Sequence, residues 1–508
     1  NELNHDAIPL DEQMLLNVIS PFLHPILMLT DTYPAVVANP PYMGSKNMNA
    51  DLSIYLKANY PKTKSDLFAV FMEVCTNRNP KSGLMGMINQ HSWMFLSSYE
   101  KLREDVLDNF TICNMLHLGP RLFEELSGAV VQSTAYVLKK EPNAEYKGDY
   151  FRLVNYKSSR GKEEQFEQRN HHYNHLSQTN FSKIPGIPIA YWMSEIVKNH
   201  FLEGKNYNNH ITRTGLQTGD NRRFTRKWFE IDVKKSNLPK YSGNKWFALN
   251  YGGEKRKWYG NFDSIINWHD NGNEIKNHLS STIRNEKYYF SKGITWTTIT
   301  GRDLSARYLP DYFVFDQSGD SLFTDYTDNI IGILNSKVSR LFIEIIAPTL
   351  NVRAGNLAKF PIIISPFNNK MISANINISK TDWDSRETSW DFEELPLLNN
   401  SSSLPASYSN WEEKVTEDFF NLHENEEELN RIFIDIYVLQ DELTPDVALK
   451  DITILQEELD RGELESRNGE LLTKKTGLPI KKDVVIKQLL SYATGCFMGR
   501  YRLDKSGL

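Results

Sequence analysis

Apolar and polar positions along the first 140 residues fall into blocks whose period switches between that of a helix and that of a strand. Leu15, Val18, Phe22 and Ile26 recur at helical spacing, but Pro21 and Pro25 lack amide donors. This predicts a short helix and a connector instead of one continuous rod. Ala35–Ala38 is a brief apolar run that stops at Asn39-Pro40-Pro41-Tyr42. Paired prolines cannot continue a sheet ladder, so a strand is expected to deliver a rigid loop. Asp66 to Cys75 has helical periodicity, Gly83 to Ile88 reads as a buried strand and Tyr99 to Phe110 as a helix. Two more strands are expected at Ile112 to Leu118 and Val130 to Lys139, around a loop at Gly119-Pro120-Arg121-Leu122-Phe123. Strands alternating with helices predict an α/β layer arrangement.

The texture then changes. Residues 151–183 are polar and highly charged, as in a linker, and 184–366 are rich in Trp, Tyr, Phe, Gly and Asn with short β-like stretches, predicting a mixed α+β domain. Residues 367–508 read as acidic and mainly helical, so the chain divides into 1–150, a linker, 184–366 and 367–508. Within the last region Asn399 to Ser403 is linker-like, and Ser409-Asn410-Trp411-Glu412 has the form of a capping box. Trp411, Val415, Phe419, Leu422, Leu429, Ile432 and Ile436 follow it at helical intervals.

Charge sharpens this division. The net charge is only -6 over 508 residues, but Lys205 to Leu309 carries 19 basic against 9 acidic residues, and Asp382 to Ser466 carries 5 against 24. The first segment would attract phosphates and the second would repel them. The acidic region is therefore expected to pack on the 184–366 domain, to bind protein partners, or to mimic the charge of a phosphate polymer. Cys75, Cys113 and Cys496 form no Cys-x-x-Cys pair, which argues against a zinc site or a disulfide scaffold; no metal is expected. No uninterrupted apolar stretch approaches the ~20 residues of a membrane span, so no membrane partner and a cytoplasmic setting are expected. The chain opens on Asn1, which suggests a piece of a longer protein.

Asn39-Pro40-Pro41-Tyr42 has a specific chemical use. An exocyclic amine on an aromatic base is a poor nucleophile because its lone pair is delocalised into the ring. The Asn39 amide oxygen and the Pro40 carbonyl can accept its two hydrogens and favour a pyramidal nitrogen, freeing the lone pair. Tyr42 can stack on the base and hold it for attack. The competing reading is a plain turn, since all four residues suit one.

Val36-Val37-Ala38-Asn39-Pro40-Pro41-Tyr42-Met43-Gly44 resembles the catalytic motif of adenine-N6 DNA methyltransferases in which the catalytic half precedes target recognition. Ser65-Asp66-Leu67-Phe68, Gly83 to Ile88, and Leu118 to Phe123 with Val130 to Lys140 resemble the motifs that follow. The resemblance implies an incomplete Rossmann-like sheet, with Phe123 packing on a flipped adenine opposite Tyr42 and Asp66 and Phe68 at the cofactor, S-adenosylmethionine. The alternatives are a core side chain for Phe123 and a helix cap for Asp66. Thr214-Gly215-Leu216-Gln217-Thr218-Gly219-Asp220-Asn221-Arg222-Arg223-Phe224, Gly293 to Trp296, Ala306 to Pro310, Leu334 to Lys337, Pro348 to Asn351 and the closing Leu490 to Tyr501 are similar to PglX-type BREX phage-defence methyltransferases and to type IIG restriction-modification fusions.

No Gly-x-Gly turn is present, and family order places the cofactor turn before Asn39. The chain alone is therefore expected to bind cofactor weakly and to be inactive, and a half sheet is expected to leave an open strand edge. Double-stranded DNA is the expected partner. Lys46, with Lys57, Lys62 and Lys64 behind it, follows the motif as a candidate phosphate contact or a solvated loop. Arg222, Arg223, Arg226 and Lys227 interleave with Phe224 and Trp228, and Arg302, Arg307 and Arg353 are lesser candidates; each alone is better suited to a surface ion pair, and only the collective charge of the segment favours DNA. Rival functions are a catalytically silent recognition subunit, the methyltransferase half of a nuclease fusion, and methylation of protein glutamine or RNA. No paired-carboxylate nuclease pattern follows Pro310-Asp311 or Pro445-Asp446.

Overall fold

The computed structural model describes residues 10–123, 131–203, 210–299, 304–347, 351–366, 369–398, 401, 403–466 and 472–502. By its internal contacts the chain separates into two units, Asn1–Ser194 and Glu195–Leu508.

The first unit is built on a six-stranded mixed sheet. Its strands are β1 (Ala35–Ala38), β2 (Leu84–Gln90), β3 (Thr111–Pro120), β4 (Gln132–Lys139), β5 (Lys147–Arg152) and β6 (His172–Ser177), in the spatial order β1-β2-β4-β3-β5-β6. β1 and β2 are parallel, β4 runs antiparallel between β2 and β3, β5 is parallel to β3, and β6 closes antiparallel. Helices α1 (Leu10–Thr30), α2 (Ala50–Asn59), α3 (Leu67–Asn77) and α4 (Glu100–Asn109) accompany them. α3 turns Phe68, Ala69, Met72 and Cys75 onto the sheet, where Met85, Met87, Ile112, Met115, Tyr136 and Leu138 complete the core. The α/β expectation holds in this unit.

Three expectations are corrected here. Residues 151–183 are not a linker: they contain the helix Ser159–Glu167 and β6, and they belong to the first unit. Their polarity is that of an edge strand and its flanks, half exposed to water. Pro21 and Pro25 do not break α1, which runs through both. The carbonyls of Asn17 and Pro21, left without amide donors, belong to exposed residues that water can serve. As a result one helix among the described residues, Glu12–Thr30, is long and apolar enough to cross a membrane by length and composition. Splitting the run at its prolines hid this. β1 pairs with β2 alone among the described strands, and Val37 on it is 85% exposed.

The second unit holds two small sheets. One orders β14 (Phe313–Phe315), β10 (Trp246–Asn250), β11 (Ser264–Asn267) and β8 (Thr225–Lys227), with β9 (Ser236–Asn237) beside β10. The other orders β13 (Ala306–Leu309), β12 (Gly293–Trp296), β15 (Ser321–Phe323) and β7 (Ile211–Arg213). Helices Lys370–Asp384, Leu404–Ile436 and Lys482–Phe497 supply the helical C-terminal region. It is not a separate domain: Trp390 and Trp383 join the core of Trp228, Trp246, Tyr259 and Phe313. The long helix also starts earlier than the capping box suggested. Ser403 caps it by accepting from Ala406 N–H, Pro405 sits in its first turn and Ser409 lies inside.

Candidate active site

The parallel strands β1, β2, β3 and β5 all end at one edge of the sheet, where β4 begins: Gln90 faces Ser133, and Pro120 faces Gln132. In open α/β sheets this carboxyl edge is where ligands bind. Asn39 to Tyr42 leave β1 there, and Arg121 to Phe123 leave β3 there. Asn39 and Pro41 are exposed, Pro40 is buried and Tyr42 is half buried, so the tetrapeptide is open at Asn39 and Pro41 and seated on the core through Pro40 and Tyr42. Phe123 is 37% exposed and is not a core residue.

The loop after the motif is stapled to the start of α3. Ser45 N–H donates to Ser65 O at 3.0 Å and Leu67 N–H to Met43 O at 3.1 Å. Between these bonds Asp66, 9% exposed, accepts from Met43 N–H at 2.9 Å and from Phe68 N–H at 3.3 Å through the same oxygen. Asp66 is therefore a helix cap that also clamps the motif loop. Phe68 is wholly enclosed and meets the Tyr42 ring edge-on, with centroids 6.1 Å apart and planes at 80°. It supports Tyr42 from beneath and offers no face to a ligand. Both side chains expected at the cofactor thus also help to build the motif, Asp66 through one of its two carboxylate oxygens.

The Tyr42 hydroxyl is buried beside Ser133 on β4. Neither hydroxyl closes a hydrogen bond with a partner among the described residues. Burial pushes the phenol pKa up, Ser133 pulls it back in part and the Asp66 carboxylate adds to the rise. Sequence reading missed Ser133 because the contact crosses the sheet. It also missed an aromatic and imidazole cluster at the same edge. His91 Nδ1 lies 2.8 Å from His117 Nε2, the His117 ring is 5.9 Å from Trp192, and the Arg152 guanidinium stacks 4.7 Å above Trp192. The segment carrying Trp192 is anchored by Arg103, which is fully buried and donates to the carbonyls of Trp93, Leu96, Gly186 and Ile187. Burial lowers its pKa to about 10.

The basic candidates separate into distinct groups. Lys46 is exposed, whereas Lys62 pairs with Asp105 at 2.7 Å. Arg223 pairs with Glu274 at 2.6 Å and Lys227 with Asp263 at 2.7 Å, and Arg226 donates to the carbonyls of Arg222 and Thr225. Arg222 is exposed and has no ion-pair partner among the described residues. Arg353 is exposed and donates to Gln317 O at 2.8 Å. Arg302 lies outside the described residues. Arg307 is corrected: its side chain is 0% exposed in β13 and cannot reach DNA in this structure. It makes only long bonds, 3.4 Å to Arg256 O and 3.3 Å to Thr297 Oγ1, and its Nε has no acceptor among the described residues. Burial first, and Arg256 second, push its pKa down to about 9.

Residues 7–123 match the family described as Eco57I restriction-modification methylase. The chain is 38% identical over 497 residues to the adenine-specific methyltransferase BrxX of Escherichia coli O9:H4 (strain HS), covering 96% of this chain and 40% of that protein. It is 38% identical over 511 residues to the adenine-specific methyltransferase PglX of Lacticaseibacillus casei (strain Zhang), covering 94% of this chain and 40% of that protein. Among solved structures, the type IIL restriction-modification enzyme MmeI in complex with DNA is similar at a TM-score of 0.49 and 12% identity, over 85% of this chain and 57% of that one. By sequence, the chain is similar to the BrxX and PglX adenine-specific methyltransferases and spans about 40% of the length of these relatives.

Proposed function

We propose that this chain is the part of a site-specific DNA methyltransferase, in phage defence or restriction-modification, that grips a flipped adenine and reads the surrounding duplex. The observation that carries this reading is Asn39-Pro40-Pro41-Tyr42, open at Asn39 and Pro41, at the carboxyl edge of the sheet, with the exposed Phe123 leaving β3 at that edge. An adenine inside a duplex is out of reach and must be rotated out, at a cost of a few kcal/mol. The Tyr42 and Phe123 rings hold the extruded base. The Asn39 oxygen and the Pro40 carbonyl accept the hydrogens on N6 and expose its lone pair, and Asp66 and Phe68 keep the motif in place. S-adenosylmethionine supplies an electrophilic methyl group in enzymes of this kind, and the residues described here do not by themselves enclose it.

Methylation of plasmid DNA by the full-length protein, followed by methyl-sensitive sequencing, tests the reading. N6-methyladenine at a defined sequence supports it. DNA binding with no methyl transfer at full length makes the chain a silent recognition subunit, and methyl transfer only to protein or RNA overturns the DNA assignment.

A further inference from the structure

In the second unit, the segment Thr214 to Asp220 gives one side chain firm backbone support on two sides. Leu216 N–H donates to Phe315 O at 3.0 Å, and Gln317 N–H donates to Leu216 O at 3.0 Å. On the other side Gln217 and Thr282 exchange amide bonds of 2.9 and 2.8 Å. Such close approach needs the flanking glycines. A Cβ on Gly215 would sit 2.0 Å from Phe315 O, and one on Gly219, at φ +72°, would sit 2.5 Å from the Ser280 carbonyl carbon. Leu216 is wholly buried, and Gln217 next to it is half exposed.

Gln217 does not stand alone. Its Nε2 donates to Gln317 Oε1, and Arg284 Nη2 donates to Gln217 Oε1 at 3.4 Å. Arg353 Nη1 donates to the Gln317 carbonyl at 2.8 Å. The arginine bond fixes which way the Gln217 amide points, so the chain runs Arg284 to Gln217 to Gln317 in one direction and leaves the Gln317 amide nitrogen as its unused donor end. With Arg284 and Arg353 exposed beside it, the remaining groups on this patch are mostly N–H donors. In the major groove guanine presents two acceptors, N7 and O6, and thymine one, O4, beside a methyl group, whereas adenine mixes an acceptor with a donor and cytosine presents a donor; two adjacent donors are matched in full only by guanine. A phosphate would be served by the arginines alone, without two neutral amides held at fixed angles.

We propose that Gln217 and Gln317, flanked by Arg284 and Arg353, read a guanine of the target duplex. The inference rests on the DNA reading above and names residues that decide specificity. Its test selects duplexes from a random pool with full-length wild-type protein, Gln317→Leu and Gln317→Glu, and sequences both the bound DNA and its methylated positions. The wild type is expected to select a site with an invariant guanine. Gln317→Leu should relax that one position by about tenfold or more, and Gln317→Glu, which replaces the donor by an acceptor, should turn it toward cytosine. Unchanged discrimination in both variants, a selected site without guanine, no selected site, or a uniform loss of affinity with a reduced salt slope overturns the assignment; the last would make the patch a phosphate contact. Selection of a site without methyl transfer would sink the methyltransferase reading while leaving the guanine assignment to the variants.

Discussion

Tyr42 offers two groups, a ring and a hydroxyl, and the proposed function gives them different tasks. The hydroxyl is buried without a hydrogen-bond partner among the described residues, and the ring stands edge-on to Phe68 at the mouth of the motif. Tyr42→Phe removes only a hydroxyl whose polar neighbour is Ser133, so stability should change by less than ~1 kcal/mol. Methyl transfer by the full-length protein should be retained. Tyr42→Ala removes the ring. Loss of base stacking at ~1–3 kcal/mol corresponds to about a 5- to 150-fold fall in single-turnover rate on a duplex oligonucleotide. It also forfeits the Phe68 contact, roughly 0.5–1.5 kcal/mol, which thermal unfolding registers separately. 2-Aminopurine placed at the target base reports flipping directly, and its fluorescence should rise with the Phe variant and not with Ala. If Tyr42→Phe were as impaired as Tyr42→Ala, the hydroxyl would belong to the reaction and the stacking assignment would be wrong.

Arg307→Met should raise the urea midpoint, by about 1–4 kcal/mol, because a buried guanidinium with two long bonds and no carboxylate is replaced by an apolar side chain; DNA affinity should not move. Arg222→Ala should weaken DNA binding and reduce its salt slope by about one, with a smaller effect for Arg223→Ala, whose guanidinium is held by Glu274; titration at several salt concentrations checks both. Burial raises Asp320 from 3.8 to about 6. The folded chain then holds that proton more tightly than the unfolded chain, so this group favours folding below about pH 4 and loses up to ~3 kcal/mol of that benefit as pH rises toward 6. Asp320→Asn should flatten this slope relative to wild type in urea unfolding at pH 4.5 and 7. Calorimetric titration of this chain alone with S-adenosylmethionine should give weak or no heat of binding, and tight binding would show that the described residues form a cofactor site after all.

Strands β1 to β4 of the first sheet were legible, and β5 and β6 were not, because the former are local events: an apolar run ended by two prolines, a helix opened by Asp66, a hairpin around Gly119. The roles of single residues within them were not. Asp66 looks the same in sequence whether it caps α3 or touches a ligand, and only the bond from Met43 N–H, 23 residues away in sequence, decides how it is used here. Phe68 follows the same logic, since its burial depends on Tyr42 and Tyr99 closing over it. The polar stretch 151–183 misled because an edge strand needs little apolar surface, and local composition cannot separate an edge from a linker. α1 misled in the opposite way: proline rules assume that a freed carbonyl has nowhere to go, which fails for a helix that lies in water.

The basic surplus of Lys205 to Leu309 suggested a surface committed to DNA, yet part of it is spent within the second unit. Arg256 pairs with Asp382 at 2.5 Å, Lys257 with Glu426 at 2.6 Å and Lys255 with Asp451 at 3.7 Å. Asp382 also bonds Arg386, which reaches Glu458, so the acidic helices form a network around the base of the small sheets. A count over sequence segments cannot see this, because the pairs made by Lys255, Arg256 and Lys257 each join positions more than a hundred residues apart. Buried pairs contribute little net stability once desolvation is included, but breaking one side leaves a charge stranded at a cost of about 3–5 kcal/mol. The acidic region therefore fixes how the sheets are held and removes these cations from competition for phosphate. On the DNA reading proposed above, the exposed Arg222, Arg284 and Arg353 of the second unit, which form no ion pair among the described residues, are the first candidates, and specificity would come from their placement and not from the charge of the segment.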